Sequence, residues 1–109
     1  MGVPYHAVHF QGVLDISRYP EFRTEFEELP RAVPVLVDLT AVEAVDSVFL
    51  SEMMLARRRH EAPFAIVIAQ LSSVARVFEH TGLDQRPYVF DDAAKATASL
   101  ASPPETTAE

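Results

Sequence analysis

Val35-Leu-Val-Asp-Leu-Thr-Ala-Val-Glu-Ala-Val-Asp-Ser-Val-Phe-Leu50 is the stretch whose reading decides the fold. Val35 to Leu39 is a short, nearly continuous apolar run, the pattern of a strand buried on both faces. Thr40 to Ser47 reads as a loop. An amphipathic helix then runs from about Ser47 to His60, with Leu50, Met53 and Met54 facing inward. Arg57, Arg58, Arg59 and His60 lie at its C-terminal end, where cations complement the helix dipole. Ser47 opens that helix. Serine is among the preferred N-caps, so Ser47 is a cap, a regulatory hydroxyl, or both. A phosphate placed there would meet the positive end of the dipole.

Working outward, His6-Ala-Val-His-Phe10 forms a strand within Tyr5 to Leu14, and Gly12 offers a bend or bulge near its end. Asp15-Ile-Ser17 leads to Pro20, which suits a first helical turn. Phe22, Phe26 and Leu29 then recur at helical spacing until Pro30 stops the helix. After Pro63, Phe64 to Ala69 is a second buried strand. Ser72 or Ser73 caps a helix carrying Val74, Val77 and Phe78, which Gly82 terminates. Tyr88-Val-Phe90 is a short strand, and Asp91 or Asp92 caps a last alanine-rich helix ending near Leu100. Residues 1–101 therefore form one α/β domain, a mixed, largely parallel sheet of about four strands with flanking helices. Residues 102–109 read as a disordered tail. In such sheets ligands and partners meet the loops beyond the C-terminal strand ends. Asp15, Thr40 to Ser47, and Gln70 to Ser73 all fall at that edge.

At 109 residues the chain is large enough for one core but not two. Its formal charge of −7 argues against nucleic acid, which needs a basic face. An acidic surface suits a basic protein partner or serves solubility. The absence of cysteine excludes disulfides and thiolate chemistry. No signal peptide and no apolar stretch of bilayer-spanning length are visible, so a soluble cytoplasmic protein is expected.

Few reactions survive inspection of the reactive groups. Asp15, Asp38 and Asp46 could form an acidic cluster, but a hard-metal site needs several convergent oxygens that this spacing does not establish. A receiver domain needs a lysine late in the sheet, and the only lysine, Lys95, falls in the final helix. His6, His9, His60 and His80 lack zinc-ligand spacing. His6 and His80 read as surface residues. With three glycines there is no phosphate-binding loop, and Ser47, Ser72 and Ser73 lack a nucleophile elbow. No cofactor, no metal and no enzymatic activity are expected.

The ordered motifs resemble the STAS domain family, of the bacterial anti-sigma factor antagonist (anti-anti-sigma factor) type. Gly12-Val-Leu-Asp15 is similar to the family's Gly-Glu-Leu-Asp segment, and Val37-Asp-Leu-Thr-Ala-Val42 to its Leu-Asp-Leu-Ser-Gly-Val strand end. Val45-Asp-Ser47 occupies the place of the Ile-Asp-Ser phosphorylation loop. Ala56-Arg-Arg-Arg59 resembles the end of the family's second helix. Val77-Phe-Glu-His-Thr-Gly-Leu-Asp84 is similar to the Leu-Thr-Gly-Leu-Asp signature that closes the third. The correspondence runs from about Val8 to Leu100.

The resemblance implies a switch. Such proteins bind an anti-sigma factor that is also a serine kinase, and phosphorylation of the loop serine, here Ser47, ends the binding. Asp15 and Asp46 would lie beside Ser47 and contact the partner. Val48 and Phe49 stand where the family commonly has small residues. They join the candidate contacts, unless Phe49 turns inward as core. The runner-up reading is a constitutive scaffold of the same fold, a stressosome-type component or the partner subunit of a transporter ATPase. The resemblance implies an extra N-terminal strand before the Gly12 strand; with Met1 so close to His6 it is expected to be missing or reduced to a stub, and a vacated sheet edge would offer a homodimer surface.

Overall fold

The double-sided apolar run at Val35 organises everything around it. In the computed structural model, which describes residues 4–101, β2 (Val35–Val45) lies between β1 (His6–Leu14) and β3 (Phe64–Val67). β4 (Val89–Phe90) completes the sheet in the order β1-β2-β3-β4. All three ladders are parallel, so the expected largely parallel sheet has no antiparallel member among the described residues. The crossovers carry α1 (Tyr19–Glu27), α2 (Ser47–Arg59) and α3 (Ser73–Thr81), and α4 (Ala93–Ser99) follows β4. Short 3-10 turns at Ile16–Arg18 and Leu83–Gln85 complete the chain.

Alternation along the strands feeds two cores. Val35, Val37 and Leu39 join Val8, Phe10, Ile66 and Ile68 beneath α1, α2 and α3. Leu36, Ala65 and Val67 face the other way, against Ala96 and Leu100. That is why a continuous apolar run, rather than an alternating one, was needed at β2.

Three local outcomes differ from the expectations above. β2 does not stop at Leu39. It continues through Thr40–Val45 because Gln11, Gly12, Val13 and Leu14 of β1 pair with Ala41, Val42, Ala44 and Val45. Gly12, at φ +77°, lies at one of two register shifts that fit β1 to β2, as its bulge signal foretold. β3 ends at Val67, short of Ala69. His60 is not the helix-end cation that was expected: its Nε2 lies 2.7 Å from the Val33 carbonyl oxygen, and burial pushes its pKa below the usual value. The three arginines alone supply the positive charge at that end. His6 and His80 are exposed, as read. The expected tail at 102–109 lies outside the described residues.

The centre of the larger core is aromatic. The Phe49 ring is fully buried, with centroids 5.2 Å from Phe10, 5.1 Å from Phe22 and 5.5 Å from Phe26. The Phe10 and Phe22 contacts are edge-to-face, a geometry that adds to the gain from burial. We expect Phe49→Ala to destabilise the domain by about 3–5 kcal/mol, measured by urea denaturation. A loss below about 1 kcal/mol would mean that this ring is not central to the core.

Candidate functional site

The site begins where β1 and β2 leave the sheet together. Leu14 pairs with Val45, and the Asp46 N–H donates to the Leu14 carbonyl at 3.2 Å. Asp15 and Asp46 therefore emerge from neighbouring strands at the same level. Each caps the element that follows. Asp15 accepts from the Ser17 hydroxyl and, at 3.0 Å, from the Ser17 N–H. Those bonds, the hydroxyl's first, hold the Asp15 carboxyl below its ordinary pKa. Asp46 accepts from the Phe49 N–H at 3.0 Å and closes the first turn of α2.

Two expectations change as a result. The N-cap of α2 is Asp46, not Ser47. The carboxylate at 46 adopts the extended cap conformation and leaves Ser47 at the first helical position, exposed to solvent. Phe49 is core and presents nothing to a partner, because its ring fills the space between α1 and β1. Val48 is half-buried against the same core. At 3.6 residues per turn, Ser47 points about 200° away from Phe49, so burying one exposes the other.

Asp38 plays no part in this face. It accepts from the Thr40 N–H at 2.9 Å and the Thr40 hydroxyl at 2.6 Å, and its other oxygen lies 3.0 Å from His9 Nδ1. Burial opposes its ionisation, yet the Thr40 and His9 bonds prevail and its pKa is lowered. Along β2 it precedes Asp46 by eight residues, about 25 Å of strand, so Asp15, Asp38 and Asp46 do not converge. Among the described residues no group of three or more His, Cys, Asp or Glu is placed to hold a metal ion.

The sequence reading missed two residues of this edge. Ile16, next to Asp15, is 62% exposed, and Leu71, in the turn before α3, is 97% exposed. Each is a single apolar residue outside any periodic run, so hydrophobic patterning carries no signal for it. The edge as a whole offers acids, the exposed hydroxyls of Ser47 and Ser73, and isolated apolar side chains. That chemistry suits docking and acceptance of a phosphate.

A family model described as "Mlab, STAS domain" matches residues 5–91. The chain belongs to the STAS domain family. Solved structures share its fold. An anti-sigma factor antagonist from Mycobacterium paratuberculosis superposes with a TM-score of 0.74 at 20% identity, covering 88% of this chain and 85% of that one. A candidate anti-sigma factor antagonist from Thermotoga maritima gives 0.64 at 18%, covering 91% and 94%. A sulfate transporter family protein from Wolinella succinogenes gives 0.61 at 15%, covering 88% and 85%. At these identities the likeness is one of fold. Among curated protein sequences none matches this chain.

Within this STAS domain no described helix is long and apolar enough to cross a membrane. The division of labour at the start of α2 is open to test by chemical denaturation. Asp46→Ala should cost about 1 kcal/mol through loss of the cap. Ser47→Ala should stay within about 0.5 kcal/mol of the parent, as for an exposed position without a structural duty. The reverse order would return the cap to Ser47.

Proposed function

We propose that this STAS domain is a cytoplasmic anti-sigma factor antagonist. It binds a serine-kinase anti-sigma factor through the face around Asp15, Asp46, Ser47 and the exposed part of Val48, and phosphorylation of Ser47 switches it off. It acts as a binding module and as the kinase's substrate, not as an enzyme, and its effect on transcription is indirect. The observation that carries this reading is the exposed Ser47 side chain, released from capping by Asp46 at the first position of α2. A phosphate there adds about −1.5 to −2 charges next to Asp46 and close to Asp15. The helix N-terminus offsets part of that charge, so the fold survives. A partner docked against the same face loses its complementarity.

A second reading is a constitutive STAS scaffold, stressosome-type or the partner of a transporter ATPase. The transporter-family neighbour favours it. Half-buried Val48 adds a small apolar contact of the kind a permanent interface uses. A homodimer is compatible with either reading. β1 is paired on one side only among the described residues. Arg18 already donates to the Gln11 and Val13 carbonyls at 2.8 and 3.2 Å, which leaves His6–His9 as the open edge.

Intact-mass analysis of the chain purified from its own cells, with site mapping, decides between the readings. We expect one phosphate at Ser47, absent from Ser47→Ala, and loss of partner binding in Ser47→Asp. No phosphate under growth, starvation or stress would leave the scaffold. For the dimer, we expect light scattering to show a mass that rises with concentration; a monomer at high concentration would remove that proposal.

A further inference from the structure

Leu71 combines two features that each need a reason. Its side chain is almost wholly in water, and its backbone adopts φ +56°, the one left-handed non-glycine residue among those described. Glycine or asparagine takes that conformation more easily, since a Cβ crowds the following carbonyl. The ordinary structural explanation fails. Leu71 directly precedes Ser72, the N-cap of α3, where an apolar residue commonly staples onto the fourth helical residue. Here that fourth residue is Arg76, itself exposed, and Leu71 covers nothing. It stands at the lip of an open groove that it lines together with Ile68, Val89 and Phe90, and even there its side chain stays in water.

Its place in the sheet adds meaning. Leu71 lies four residues beyond Val67, which pairs with Asp38, and Asp46 lies eight beyond Asp38 on the adjacent strand. Both residues therefore follow the C-terminal ends of neighbouring parallel strands, on the same side of the sheet. A standard interface of about 800 Å² per partner reaches across adjacent strand ends. The surroundings carry net negative charge: Glu79, Asp84 and Asp91 rim the groove against Lys95 alone, on a chain of −7. Like charge disfavours a second copy there, and complementarity favours a basic partner surface.

We propose that Leu71 is a second anchor of the partner-binding face, inserted into an apolar pocket within a basic surface of the same anti-sigma factor that engages Asp46 and Ser47. This rests on the function proposed above. At the lip of its own groove the side chain finds no cover, so that the partner supplies its burial.

The test uses the full chain and the kinase-type anti-sigma factor of its own genome, by titration calorimetry. Leu71→Asn keeps the turn and removes the apolar group. We expect it to weaken binding about ten-fold or more, while its Tm rises by a few degrees as the left-handed strain is relieved. Leu71→Gly should behave alike. Asn and Gly variants that bind as tightly as the parent overturn this inference and leave the Ser47 reading standing. A parent chain that binds no such factor overturns both. Dissociation of a parent homodimer by Leu71→Asn also overturns it, by making the occupant a second copy.

Discussion

The rest of the structure depends on how Phe49 is held. Its backbone N–H is the donor that Asp46 caps, and its ring is the hub on which Phe10, Phe22 and Phe26 converge. Cap and ring together fix the rotation of α2 about its own axis. Once Phe49 points into the core, helical geometry turns Ser47 toward solvent. A single residue therefore couples the stability of the domain to the presentation of its candidate phosphoacceptor. It also couples the strand ends to the helix, because the Asp46 that caps α2 is bonded through its own N–H to Leu14.

Electrostatics follow from that geometry. Asp15, Asp46 and Asp92 each cap the element that begins beyond a strand end, so the acids needed to start helices are gathered along one edge. Their charges are stabilising toward the helix N-termini and unfavourable toward one another. A face built this way responds strongly to one more negative group and tolerates it locally. The same edge carries apolar side chains that the core does not use. A docking face needs both kinds of group, apolar contact for affinity and charge for selectivity.

Much of this was legible in the chain. The doubly apolar Val35–Leu39 run, the helical spacing of Phe22, Phe26 and Leu29, and the punctuation at Pro30, Ser72 and Gly82 gave the order of elements and the sheet edge that carries the site. The extension of β2 was not legible, because Thr40-Ala-Val-Glu-Ala-Val45 has neither a clean alternation nor an unbroken apolar run. It is a strand because β1 lies beside it, a tertiary fact. The cap of α2 was misassigned between two residues that both qualify, Asp46 and Ser47, and only backbone dihedrals separate them. Phe49 was open between core and surface because the aromatic residues it meets come from β1 and α1, distant in sequence. Ile16 and Leu71 escaped because an isolated apolar residue in a turn has no periodicity to read.

The most direct measurement compares the chain carrying phosphoserine at position 47 with the unmodified chain, by backbone amide NMR and by titration with the anti-sigma factor. The account requires that amide shifts stay confined to the β1 and β2 ends and the first turn of α2, with the Phe10, Phe22 and Phe26 amides unmoved. Affinity for the partner should fall at least ten-fold. Shifts spread through the aromatic core, or an affinity unchanged by the phosphate, would contradict it.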